Sequence, residues 1–137
     1  MSPPESDTHT SLATLAKQYF QCVDTDNPAG AASLFSPTAT FTVVTEHTTF
    51  TGREEIQAML TRFSAQSKSM EHRVRNIVVD EKTRRVATEQ RYTGELSDGT
   101  KQDMVNCNFF DVDQEGRFTR VMVWMAGGSP LGGREGL

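Results

Sequence analysis

The sequence predicts an α+β fold in which three N-terminal helices cover one face of a strongly curved antiparallel sheet. Three observations carry that expectation. Apolar residues near the start recur at three- and four-residue spacing, everything after Ser69 falls into β-like runs joined by short turns, and 137 residues allow one compact domain and no second lobe. Helices first and strands later are the pattern of helices layered on one face of an antiparallel sheet.

The first helix rests on Leu12, Leu15, Ala16, Tyr19, Phe20 and Val23, which share one stripe. It stops at Asp24-Thr25-Asp26-Asn27-Pro28, where Asp26 or Asn27 suits the cap of a new helix and Pro28 its first turn. That short helix runs from Pro28 to Phe35 and buries Ala31, Leu34 and Phe35; Ser36-Pro37 breaks it. From Thr38 a strand places Ala39, Phe41 and Val43 on a dry face with threonines opposite. A polar turn at Glu46-His47 returns through Thr48 to Phe50. Thr51-Gly-Arg-Glu54 then reads as a capping box ahead of Ile56, Met59, Leu60 and Phe63, for a third helix over Gly52 to Gln66.

Four strands follow as a meander: Met70–Asp80, Arg85–Leu96, Lys101–Val112 and Arg117–Met125. Strands of about ten residues make a sheet about 30 Å deep that twists and curls over its helices, leaving a hollow. Met1–Thr10 reads as a frayed arm without the apolar core of a secretory signal, and the Gly-rich stretch from Gly127 onward reads as a tail. The folded body is expected from Ser11 to Ala126.

Composition narrows the function classes. The chain is 36% hydrophobic, has no run long enough to cross a bilayer, and carries fourteen Lys and Arg against eighteen Asp and Glu. A formal charge of −4 is the wrong balance for gripping phosphate backbones, so neither nucleic acid nor membrane is an expected partner. Cys22 and Cys107 lie far apart, outside any metal spacing, and read as two buried thiols of a reducing, cytoplasmic compartment. There is no Gly-rich phosphate loop, no clustered metal ligand set and no nucleophile motif of the GxSxG kind. The chemistry left is cofactor-free.

The stretch from Lys17 to Phe41 and the segment Phe50-Thr-Gly-Arg-Glu-Glu-Ile56 resemble the opening of the nuclear-transport-factor-2-like superfamily, in particular the SnoaL-like polyketide cyclases and the ketosteroid isomerases. The resemblance continues through Glu71–Asp80, Arg85–Glu89 and Asn108–Phe118. It implies a cone: a bent sheet closed on one side by helices, with a pocket at the wide mouth. It also implies dimerisation through the outer sheet face.

Site candidates follow from that resemblance. Tyr19 falls where the isomerases place a pocket tyrosine on the first helix, and is a candidate donor to a substrate oxygen as well as a candidate core tyrosine. The isomerases' general-base aspartate has Val43 in its place, and a valine moves no proton. His72 matches a pocket histidine of dehydratase and cyclase relatives and is the best general acid or base in the chain. Asn108 matches an acidic pocket residue; its amide can donate to a developing oxyanion without any tuning of a pKa. Asn106, Met104 and Gln102 share its strand parity, which argues either for a polar pocket or for a solvent face. Phe41, Val43, Leu60, Phe63, Phe110 and Trp124 supply apolar wall. His47 reads as solvated and His9 as part of the arm, while Glu89 and Arg91 read as an ion pair on the outer sheet and Asp103 as a second-rank charge. The resemblance implies an isomerase or cyclase acting on a hydrophobic oxygenated natural-product intermediate, with catalytic Tyr19, His72 and Asn108. A non-catalytic ligand-binding or dimerisation module, and a dehydratase or epoxide hydrolase on the same fold, remain open.

Overall fold

The computed structural model describes residues 7–127. In chain order the elements are α1 (Asp7–Asp24), α2 (Pro28–Ala32), β1 (Phe35–Val43), a 3-10 turn (Val44–Glu46), β2 (Thr48–Thr51), α3 (Arg53–Ala65), β3 (Ser67–Asp80), β4 (Arg85–Leu96), β5 (Lys101–Val112) and β6 (Phe118–Trp124). The three helices and the four-stranded meander stand where the sequence placed them. Among the described residues no helix is long and apolar enough to cross a membrane.

All six strands form one unclosed sheet in the order β2-β1-β6-β5-β4-β3. Neighbours pair antiparallel except β1 and β6, which run parallel. The sheet is therefore mixed, not wholly antiparallel. A parallel contact between the first and last strands joins segments far apart in sequence, so no local turn announces it.

Local chemistry explains several shifted boundaries. α1 begins at Asp7, so His9 is helical and not part of an arm; the remainder of the expected N-terminal arm and all of the glycine-rich tail beyond Gly127 lie outside the described residues. Asn27 caps α2 by accepting from the Gly30 amide at 2.9 Å. The short helix ends earlier than expected and Phe35 opens β1, where it is fully buried. Pro37 lies inside β1, in the stretch between Phe35 and Thr40 where the register with β6 slips, so its missing N–H breaks no regular ladder there. The expected capping box does not form: Gly52, not Thr51, is the N-cap of α3 and has no side chain to offer, the Gly52 amide donates to the Ala39 carbonyl at 2.7 Å, and Glu55 instead takes the Thr51 amide at 2.7 Å. Arg53 then ties α3 to β1 by donating Nε to the Phe35 carbonyl at 3.0 Å.

The helices pack on the inner sheet face around an aromatic cluster. Tyr19 lies 5.2 Å from Phe20, 6.0 Å from Phe35 and 5.9 Å from Phe110, ring centre to ring centre, mostly edge to face. Phe110 and Phe118 are 4.9 Å apart and both are fully buried. On β4 and β5, Val86, Thr88, Gln90, Tyr92, Asn106, Asn108 and Phe110 point inward.

By the same alternation Arg91, Cys107 and Trp124 face outward, and two expectations fail, for Cys107 and for the Glu89–Arg91 pair, while Cys22 sits at the margin of the buried stripe of α1. Cys107 is exposed, not buried, and Cys22 is only half-buried. Glu89 and Arg91 do not pair with each other: Arg91 holds Asp103 with bonds of 2.9 and 2.6 Å, and Asn76 donates to Glu89 at 2.7 Å. Residues two apart on one strand are farther from each other than from their cross-strand neighbours.

Because Phe110 fills the centre of the aromatic cluster, Phe110→Ala is expected to cost about 3–5 kcal/mol of folding stability, read from urea unfolding monitored by circular dichroism. A loss under about 1 kcal/mol would contradict the packing described.

Candidate active site

An acid–imidazole pair joins α1 to β3. Asp24, the last residue of α1, accepts two hydrogen bonds from His72: the backbone amide donates to Oδ2 at 2.7 Å and ring Nδ1 meets Oδ1 at 2.6 Å. Both side chains are largely buried. A carboxylate at a helix C-terminus opposes the helix dipole, so this carboxylate depends on donors supplied from the sheet. Because a carboxylate only accepts, the contact makes Nδ1 the donor, so in the neutral ring Nε2 is the nitrogen without a proton. The ring is held between Phe20 and Tyr92, whose centroids lie 5.2 and 5.0 Å away.

His72 lines a small cavity with Tyr19, Phe20, Val23, Phe63, Gln90, Asn106, Asn108, Val123 and Met125. Its free volume is about 20 Å³. That is enough for roughly one water and no more. The hollow foreseen from the sequence is thus almost closed. A larger hollow of about 510 Å³ lies elsewhere, over the strand ends at Ser69–Glu71, Thr93–Glu95 and Lys101–Asp103, and contains none of these groups.

The polar lining is ordered by its own hydrogen bonds. Thr88 Oγ1 donates to Gln90 Oε1 at 2.8 Å, and Gln90 Nε2 donates to Asn108 Oδ1 at 2.8 Å. Asn106 Oδ1 accepts from the Ala126 amide at 3.1 Å. Four polar side chains buried side by side would be costly unpaired, and this chain of bonds offsets most of that cost. Tyr19 is deeply buried, and burial, reinforced by the negative charge of Asp24, pushes its phenol well above the ordinary range. The same two causes push Tyr92 up to about 12; its hydroxyl donates to Gln102 at 3.2 Å.

Of the residues singled out in the sequence, Tyr19, His72, Asn108, Asn106 and Phe63 meet around this cavity. Phe41, Val43, Leu60 and Phe110 are buried in the core but do not line it, and Met104 packs half-buried against the core. Trp124 is not pocket wall: Val121 and Val123 take the inward positions of β6, which turns Trp124 outward at 41% exposure. His47 is exposed, in a left-handed conformation at the end of the 3-10 turn.

Sequence reasoning missed Asp24 and Gln90. Asp24 was absorbed into a helix stop, although an acid at a helix C-terminus is itself a sign of a partner elsewhere. Gln90 shares the parity of Val86, Thr88 and Tyr92, and alternation alone was enough to place it inside. Among the described residues no three His, Cys, Asp or Glu side chains gather as a metal site.

A curved mixed sheet under three helices is the α+β fold of the nuclear-transport-factor-2-like superfamily. A model of the SnoaL-like domain matches residues 16–121, and the chain belongs to that family. No curated protein matches it in sequence. Among solved structures, the BvnE pinacolase of Penicillium brevicompactum superposes with a TM-score of 0.78 at 14% identity, over 91% of this chain and 89% of that one. An LEH-like epoxide hydrolase of M. tuberculosis gives 0.74 at 15% identity, over 85% and 84%. A Xanthomonas campestris pv. campestris protein described as a polyketide cyclase gives 0.71 at 20% identity, over 86% and 92%. At such identities the likeness establishes the fold alone.

Burial of the two tyrosines sets an alkaline prediction. A phenol whose folded pKa lies above its unfolded value of about 10 contributes stability that is present below that value and is lost as pH rises from there through the folded pKa. Ultraviolet titration is expected to show neither tyrosine ionised at about pH 10.5 in the folded protein, with phenolate absorbance appearing together with unfolding. Ordinary titration of either one would contradict the described burial.

Proposed function

We propose that the chain is a cofactor-independent enzyme acting by general acid–base catalysis on a hydrophobic, oxygenated small molecule, with isomerase or cyclase chemistry. The observation that carries this reading is the Asp24–His72 pair, largely buried and set against the polar cavity. Asp24 fixes the tautomer, so Nε2 can take a proton from carbon beside a carbonyl. The electron pair then moves onto the carbonyl oxygen, where Tyr19 and Asn108 stabilise it as donors. The imidazolium returns its proton to another carbon of the same molecule, so no net proton is gained or lost. The fold supports the substrate class no further than apolar walls with a few donors.

With room for about one water, only the reacting end of a substrate enters before side chains move. Met125, beyond the end of β6, and Phe63 of α3 are lining groups that a substrate must displace. A thioether side chain is well suited to such repacking. The small free volume also favours a second reading, a non-catalytic ligand-binding or dimerisation module whose buried polar chain only orders the interior.

Replacement of single groups separates the two. With cyclic β,γ-enones and linear polyketone mimics as probes, His72→Ala and Tyr19→Phe are expected to lower turnover at least about 100-fold while the fold survives; one oxyanion donor alone is worth about 2.7–4 kcal/mol. Rates equal to the wild type, or binding without turnover in any variant, would favour the module.

For the assembly, the proposal is a homodimer through the outer sheet face in a reducing, cytoplasmic setting. The cross-strand partners Ala87, Phe109 and Met122 form one apolar row, with Cys107 and Trp124 opposite each other beside it. Val78 and Val105 add exposed apolar surface at 66% and 38%. The flanking Arg91–Asp103 pair offers both signs of charge, as a self-complementary face needs. Trp124→Lys is expected to shift the mass measured by light scattering from dimer to monomer; a monomeric wild type would contradict the proposal.

A further inference from the structure

We infer that Gly94, which does not line the cavity, is a positioning residue of the acid–imidazole pair: by carrying no side chain it makes room for the Tyr92 ring to lie where it holds His72 against Asp24. This deepens the acid–base reading and rests on it for what the held imidazole does.

A glycine inside a strand weakens it, so its presence in β4 calls for a reason. Backbone conformation supplies none. The left-handed glycines among the described residues are Gly52, Gly99 and Gly116, and Gly94 is in register on both sides, with Met70 of β3 and Gln102 of β5. Space supplies one. A methyl carbon on Gly94 would stand 2.6 Å from Tyr92 Oη, 3.0 Å from Tyr92 Cζ and 2.9 Å from the Ser69 carbonyl oxygen. Separations of 2.6 and 2.9 Å are closer than side-chain carbons pack, so alanine there displaces what it meets.

What it meets first is an enclosed ring. Tyr92 shares the inward face of β4 with Gly94, and its side chain leans along the strand over the glycine. Its hydroxyl bonds at 3.2 Å to the side chain of Gln102, the cross-strand partner of Gly94. Tyr92 is 2% exposed, and Phe63 of α3 lies 6.0 Å away, centre to centre. Directly across the ladder is His72, its ring 5.0 Å away and inclined by 34°. A phenol is rigid from Cβ to Oη, so driving the hydroxyl off Gly94 turns the whole ring, and the ring turns against the imidazole. The 2.6 Å contact of Nδ1 with Asp24 depends on the imidazole plane, because hydrogen bonds weaken steeply with misalignment. The bond from the His72 backbone amide to Asp24 does not involve the ring and is spared. Gly94 and Tyr92 therefore act through His72.

Proton NMR of the whole protein tests this without any substrate. In the wild type the His72 Nδ1 proton is expected at low field and in slow exchange with water, as a short bond to a carboxylate requires. In Gly94→Ala that resonance is expected to move upfield and broaden by exchange, while the His72 backbone amide stays protected. Tyr92→Phe removes the hydroxyl that the new methyl group strikes, so Gly94→Ala/Tyr92→Phe is expected to bring the low-field resonance back. A wild type without the low-field proton, or a Gly94→Ala spectrum identical to wild type, overturns the inference. A double variant as altered as the single one also overturns it, by showing that the glycine spares the Ser69 carbonyl and not Tyr92. Should Gly94→Ala fail to fold, Tyr92→Leu decides: the same proton displaced there supports the positioning role, and the proton unmoved overturns it. The expected spectra in a protein that turns over no enone refute the proposed catalysis and leave this inference standing.

Discussion

The contact between Asp24 and His72 is the constraint around which the inner face is organised. It joins the end of α1 to the middle of β3, and it places a carboxylate where the helix dipole disfavours one. Charge-assisted hydrogen bonds are worth about 1.5–3 kcal/mol each, and leaving a buried acceptor without its donors costs at least as much. The backbone amide of His72 fixes where the carboxylate sits, and the ring then has one orientation relative to it. The stack of Phe20, His72 and Tyr92 holds that orientation from both sides. A histidine so held keeps one tautomer when neutral and presents one nitrogen, which is what the proposed proton carrier requires.

The rest of the interior reads as a division of labour between the two walls. The helical wall and the far sheet carry rings, with Tyr19 at the junction of five of them. The middle of β4 and β5 carries hydroxyl and amide groups that bond to one another. Thr88, Gln90, Asn106 and Asn108 are buried together, where apolar residues of similar volume would pack at lower cost. The near absence of free volume is compatible with function because a closed site strengthens every electrostatic contact inside it. It also means that ligand entry and side-chain motion are one event.

Most of the architecture was legible in the sequence because it is local. The stripe from Leu12 to Val23, the alternation along Arg85–Leu96 and Lys101–Val112, and the turns between them are short-range patterns, and each formed as read. Phe35 was misread because an apolar residue beside Ser36-Pro37 fits the end of a helix as well as the start of a strand. The parallel pairing of β1 with β6 was illegible because it is a long-range contact. The site was half legible. The family resemblance pointed to Tyr19, His72 and Asn108, and strand parity grouped Asn106 with Asn108 while leaving open whether that face was pocket or solvent. Asp24 was missed since its role depends on a strand 48 residues away. Trp124 was misplaced for a simpler reason: its size suggested burial, while the parity of Val121 and Val123 put it outside.

The central claim is that Asp24 holds His72 as the tautomer protonated at Nδ1, leaving Nε2 free toward the chemistry. Long-range nitrogen–proton correlation spectra of the imidazole, recorded on neutral His72 in the wild type and in Asp24→Asn, measure this directly. The account predicts a single Nδ1–H tautomer in the wild type and a mixed or reversed one in the variant. A wild-type ring protonated at Nε2, or a variant spectrum identical to the wild type, would contradict it.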